Sequence, residues 1–246
     1  GFATLISRII MTLTLYIYFK RTHFKVYFAA FGNHVFSWKK VVYILKNSLP
    51  IGFQYIIEIS AFVIGTIMIG TLGTVPLAAH QIAINLVSIT YLIASGISSA
   101  TTIRVSNLNG LKKYDDLFLA ARSGTKLVMG FMVFASVVFL LGNRFFPSLY
   151  INEIPVINIA SKLLIIGVLF QLFDGLQVIG LGILRGLNDL KKPTLIAAIA
   201  YWVIGLPLSY VFGIYLGLGA VGIWYGYLAG LATAAILLFF RFYQVK

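Results

Sequence analysis

Two acidic residues of this chain fall where an acid is expensive. Glu58 and Asp174 each lie inside an apolar run, in "FQYIIEISAF" and "FQLFDGLQVIGLG". A charge at bilayer depth costs about 2.5–3.5 kcal/mol even on insertion scales, so each acid needs a partner or a purpose. The other four acids, Asp115, Asp116, Glu153 and Asp189, read as loop residues. Glu58 is 12 residues from Lys46, and Asp174 is 11 from Arg185. At a rise of 1.5 Å per helical residue, both acids lie roughly 16–18 Å from the same basic side, near the middle of a membrane. Two carboxylates at one depth on different helices can share a bound cation or a proton.

Their neighbours add oxygen. Gln54 lies one turn before Glu58, and Gln171 and Gln177 flank Asp174 at i−3 and i+3. A third apolar run carries Gln81, Asn85, Ser88, Tyr91, Ser95 and Ser99 at spacings of three or four, with Tyr91 level with the two acids. A hard cation such as Na⁺ takes several oxygen ligands, which carboxylates, amide carbonyls and hydroxyls provide, so either Na⁺ or H⁺ suits the set. Gln54, Gln81, Asn85, Ser88, Gln171 and Gln177 are candidate cavity-lining residues. The plainer reading of any one of them is a hydrogen bond between helices. Likewise the glycine pairs Gly65/Gly70 and Gly226/Gly230 read as packing contacts, and His80, at the outer end of its run, as interfacial.

Transmembrane helices must position these groups. Sixty per cent of the 246 residues are hydrophobic, 10% are charged, and the mean hydropathy is +0.98. Such a chain has lipid as its solvent. Long apolar runs without strand-period alternation exclude an outer-membrane-type barrel, so the fold class is all-α integral membrane. Seven runs stand out, at 1–19, 49–72, 79–103, 117–141, 156–183, 193–213 and 219–240. Sixteen of the nineteen Lys and Arg residues fall on alternate connections, on the tail or, as Arg122 and Lys126, at the base of the span that follows such a connection. That asymmetry places the C-terminus and the basic loops in the cytoplasm, and explains the net charge of +13 without nucleic acid. Arg8 and Lys162 are the basic residues expected within spans.

The segment 20–47 is the one long connection. Phe24, Tyr27, Phe28, Phe31, Val35 and Trp38 recur at helical spacing among basic residues, which predicts an amphipathic helix in the cytoplasmic headgroup region and a seam between bundles. Asn47 and Ser48 before Pro50 read as a helix start, as does Lys192-Pro193. Pro207 should kink its span. The chain opens on Gly1 with no basic n-region or cleavage site, and so reads as truncated. With no cysteine, no histidine spacing suited to a metal, and neither a GxSxG nor an HExxH motif, it offers no enzyme chemistry and implies no cofactor beyond a coupling ion.

The run "LPIGFQYIIEISAF", then "GTLGTVPLAAHQIAINLVSITYLIASGISSATTIRVSNLNG", "FQLFDGLQVIGLGILRGLND" and "YWVIGLPLSY…GLGAVGIWYG" resemble the multidrug and toxic compound extrusion (MATE) family, most closely its NorM-type branch. The resemblance implies a twelve-helix fold of two six-helix lobes. Residues 1–19 would be the last helix of the N-lobe, 20–47 the linker, and 48–246 the six-helix C-lobe. The N-terminal lobe would be a missing partner, and a lone half would not transport. The resemblance also implies a bacterial inner-membrane antiporter that exports amphipathic, often cationic drugs in exchange for Na⁺ or H⁺. Glu58, Asp174 and Tyr91 match its cation-coupling positions, with Na⁺ held on the two acids. Phe170 stands where some members carry a further tyrosine.

Three other readings compete. A lipid-linked oligosaccharide flippase of the same superfamily would need basic residues along its cavity to hold a pyrophosphate. An aspartyl hydrolase would need a GxGD-like motif, which is absent. In a membrane scaffold the acids would merely satisfy buried partners.

Overall fold

The structure, a computed structural model, describes residues 2–21 and 37–245. It is helical throughout, with no strand among the described residues. Seven helices are long and apolar enough to cross a membrane: α1 (Phe2–Arg21), α2 (Trp38–Gly70), α3 (Thr74–Gly110), α4 (Tyr114–Leu141), α5 (Ile154–Gly186), α6 (Lys191–Tyr215) and α7 (Gly219–Gln244). The chain is an integral membrane protein. It divides into two compact units, Gly1–Lys46 and Asn47–Lys246. In the first, α1 ends on Lys20 and Arg21, and Thr12 and Thr14 turn their hydroxyls back onto the carbonyls of Arg8 and Ile10.

The interfacial helix expected within 20–47 lies largely outside the described residues. Its end does not: from Trp38 the segment is already α2, and Pro50 sits inside that helix rather than opening it. A proline in a membrane helix is tolerated where neighbouring groups take up the freed polar atoms. Here Thr194 Oγ1 of α6 donates to the Pro50 carbonyl at 3.0 Å. Lys191 does open α6, in agreement with the sequence. Around Pro207 the strain is absorbed by widening: Ile199–Gly205 and Val211–Tyr215 are π-helical, flanking the short α-helical stretch Leu206–Tyr210.

In the second unit α5 is the central helix and packs against α3, α4 and α7. Small residues let the backbones approach. A side chain at Gly182 would collide with Ser98 and Thr102 of α3, and one at Gly175 with Met132 of α4. That proximity lets Ser98 and Thr102 donate to the carbonyls of Val178 and Gly182 at 2.8 and 2.9 Å. Gly226 abuts Ser209, Gly230 the Ala200 carbonyl, and Gly65 the Tyr227 ring, so these three are packing contacts. Gly70 is not, since a Cβ there would meet only Leu77, at 4.0 Å.

Two apolar clusters fill the bundle. One contains Ile69, Ala79, Val156, Phe170 and Trp224, and the other Val105, Leu117, Ile179, Leu184 and Phe242. His80 belongs to the interior rather than the interface, being 1% exposed. Trp224 Nε1 donates to His80 Nδ1 at 3.1 Å, and His80 Nε2 lies 3.0 Å from Thr66 Oγ1, which donates to the Phe62 carbonyl. This chain of bonds accounts for the burial, because every polar atom of the ring is paired.

Candidate functional site

α2 turns Gln54, Glu58, Ala61, Gly65 and Ile69 inward, a single face at intervals of three and four. Its apolar half closes on the first cluster, and its polar half meets Gln171, Asp174 and Gln177 of α5, all buried. Glu58 is 9% and Asp174 4% exposed, close enough for their charges to interact. Glu58 Oε1 accepts from Gln177 Nε2 at 3.4 Å and from the Tyr201 hydroxyl at 3.5 Å. Both bonds are long for the type, so the carboxylate is only loosely held.

Beside the acids a cavity of about 410 Å³ is lined by Tyr55, Glu58, Phe62, Ser88, Tyr91, Phe170 and Asp174, among others. Phe170 thus contributes an apolar wall. Toward the far end of α5 a chamber of about 50 Å³ is lined by Tyr55, Glu58, Tyr91, Ser95, Ser98, Ser99, Thr102 and Arg185. Glu58, Tyr91 and Tyr55 border both spaces. Gln81 and Asn85 are exposed on α3, and Asn85 Oδ1 accepts from the Tyr150 hydroxyl at 3.0 Å.

Buried polar atoms normally find partners, and exceptions call for an explanation. Six such atoms among the described residues have none: Gln54 Nε2, both amide atoms of Gln171, Asp174 Oδ2, Gln177 Oε1 and Arg185 Nε. All six belong to this one group of side chains. The oxygens among them, with Glu58 and Tyr91, form a set of carboxylate, amide and phenol donors suited to a hard cation or to a shared proton. No three His, Cys, Asp or Glu side chains come together among the described residues.

Sequence reasoning missed three of the neighbours. Arg185 reads as a loop residue because the apolar run ends there, yet it lies in the last turn of α5 and borders the chamber. The signal was available: eleven residues is three helical turns, so Arg185 stands on the same face as Asp174. Tyr55 and Tyr201 have no such marker, since aromatic residues in a span ordinarily only pack. Tyr201 reaches Glu58 from the π-helical part of α6.

Comparison with known proteins agrees with this architecture. The MatE family profile matches residues 50–211. The chain is 36% identical over 209 residues to the "Probable multidrug resistance protein NorM" of Xylella fastidiosa (strain 9a5c), covering 85% of this chain and 45% of that protein. It is 32% identical over 249 residues to the protein of the same name from Brucella suis biovar 1 (strain 1330), covering 98% and 52%. It therefore spans about half the length of these relatives. The fold superposes on the crystal structure of a eukaryotic MATE transporter with a TM-score of 0.83 at 16% identity, over 94% of this chain and 52% of that one. An outward-facing multidrug resistance MATE family transporter of the MOP superfamily gives a TM-score of 0.73 at 19% identity, over 81% and 44%. The chain belongs to the MatE family.

Proposed function

We propose that this chain carries the ion-coupling lobe of a secondary antiporter that exports amphipathic, often cationic compounds in exchange for Na⁺ or H⁺. The observation that carries the reading is the burial of Glu58 and Asp174 together, beside a cavity, with Asp174 Oδ2 and Gln177 Oε1 unpartnered. An acid pair kept in a membrane interior without full pairing is costly unless a cation completes it. On this reading residues 1–19 are the last helix of an N-terminal lobe, 20–47 the inter-lobe linker and 48–246 the C-lobe. The protein lies in a bacterial inner membrane with the C-terminus cytoplasmic. The relatives' names, which speak of multidrug resistance, favour drug export over lipid-linked oligosaccharide flipping.

The exchange needs only that cation and drug prefer different conformations. A monovalent cation on Glu58 and Asp174 offsets one of their two negative charges and weakens the electrostatic attraction for an organic cation in the adjoining cavity. Tyr91, at the border of both spaces, is placed to add a phenolic oxygen. The test is ion-driven drug efflux by the full-length protein carrying Glu58→Gln or Asp174→Asn. The expected result is loss of ion dependence in both; undiminished, ion-dependent efflux in either one refutes the assignment.

A further inference from the structure

The exchange just proposed leaves the other charge at the site unused. Arg185 reaches back from the last turn of α5 to α2, where Nη1 donates to the Tyr55 hydroxyl and Nη2 to Gln54 Oε1, each at 3.2 Å. The guanidinium also lies 5.0 Å from the centroid of the Tyr55 ring. Both acceptors are neutral and both contacts are long, so the pairing is weaker than one with a carboxylate. Nε has no partner, and among the described residues the ion pair within 4 Å is that of Arg241 with Asp189, not one of Arg185.

Gln54 and Glu58 are one turn apart on one face of α2, with Cβ atoms roughly 5–6 Å apart, so the amide that holds the guanidinium is the helical neighbour of a carboxylate. Arg185 and Glu58 both line the chamber of about 50 Å³. Ser98, Ser99 and Thr102 on its wall donate their protons to backbone carbonyls at 2.8, 2.8 and 2.9 Å, which leaves hydroxyl oxygen as the group available to a visiting donor. Arg185 and Glu58 thus border one space, whose wall offers these hydroxyl acceptors beside the apolar Val178 and Leu181.

We propose that Arg185 is a tethered cation that competes with the transported ion for Glu58. When the ion leaves, the guanidinium crosses the chamber and neutralises Glu58. When an ion binds, it returns to Gln54 and Tyr55. The titratable groups facing the chamber besides Arg185 are Glu58, Tyr55 and Tyr91, with Asp174 and Tyr201 beyond Glu58. The ion's affinity is then set by the difference between two positions of one arginine. This inference rests on Glu58 being an ion site, as proposed above.

The experiment is ion binding to the purified full-length protein, followed by thermal shift in Na⁺ and pH titrations. Removing the competitor with Arg185→Gln should lower the half-saturating ion concentration about tenfold. Removing one resting contact with Tyr55→Phe should raise it about two- to threefold. Arg185→Lys, which keeps the charge, should stay nearer to wild type than Arg185→Gln. Opposite signs for the first two variants are the signature, because a merely structural role would weaken binding in both. Unchanged or weaker binding in Arg185→Gln overturns the proposal. Should that variant not fold, unchanged or tighter binding in Tyr55→Phe overturns it. Loss of ion binding in Glu58→Gln alongside an unmoved Arg185→Gln sinks this inference alone; ion binding that survives both Glu58→Gln and Asp174→Asn sinks the functional reading itself.

Discussion

Gln177 holds its amide nitrogen 3.4 Å from Glu58 Oε1, joining α5 to α2 across 119 positions of the chain. The other end of the same amide, Oε1, is buried without a partner. One side chain therefore steadies an acid with its donor and leaves its acceptor free. An arrangement made only for stability would use both ends, because an unpaired buried acceptor costs about 1–3 kcal/mol.

Replacing Gln177 by Leu keeps the volume and removes both functions. The variant should fold and melt close to wild type, since the loss of a long hydrogen bond is offset by the loss of an unpaired acceptor. Its ion affinity should fall about tenfold, the worth of one hydrogen bond to a charged group. A Na⁺ or pH titration of thermal stability in the purified full-length protein checks both parts. An unaltered midpoint would remove Gln177 from the site.

Tyr201 donates to the same carboxylate oxygen from α6, at 3.5 Å. That distance is at the limit of a hydrogen bond. Tyr201→Phe should accordingly shift ion affinity by less than about threefold, well short of the Gln177 variant. Measuring the two side by side ranks the supports of Glu58. Equal effects would mean that the tyrosine moves closer once an ion is bound.

The spans and the two acids were legible in the sequence because both are written in patterns that tertiary structure does not alter. A run of apolar residues long enough for the bilayer must cross it, and an acid inside such a run stands out against its neighbours. Helix ends were less legible. Lys39 and Lys40 made the start of α2 look like part of a separate interfacial helix, although helices that protrude into the headgroup region keep winding through basic residues. The same bias hid Arg185, whose long side chain turns back into the bundle from a helix end. Its place on the Asp174 face could have been read from the interval of eleven. The Tyr201–Glu58 contact could not, since it depends on the π-helical turns beside Pro207.

His80 gives a prediction about stability alone. Its ring accepts from Trp224 Nε1 and lies against Thr66 in the buried core, and the ring itself lines neither cavity, although Thr66 borders the larger one. His80→Leu would leave the Trp224 N–H unpaired in an apolar surround. The cost should be about 1–3 kcal/mol. Thermal unfolding in detergent should show that loss, with ion-midpoint titrations unmoved. A shifted ion midpoint would connect the histidine to the coupling site after all.

The glycines separate close helix contact from mere flexibility. At Gly226 a Cβ would strike the backbone of Ser209, which cannot rotate aside, and α6 is already constrained there by its π-helical turns. Gly226→Ala should therefore destabilise the C-terminal pair of helices by about 1–3 kcal/mol, the range for overpacking. At Gly65 the obstacle is the ring of Tyr227, whose hydroxyl donates to the Phe62 carbonyl at 3.1 Å, so Gly65→Ala displaces a side chain and breaks that bond. Its cost should be similar but should fall when Tyr227 is shortened to Leu in the same protein, which a double-mutant cycle measures. Gly70→Ala meets nothing nearer than 4.0 Å and replaces a poor helix former by the best, so it should be neutral or stabilising by up to about 1 kcal/mol. Melting temperatures of the three single variants give the order, and a Gly70→Ala variant as damaged as Gly226→Ala would show that the end of α2 packs more tightly than its geometry indicates.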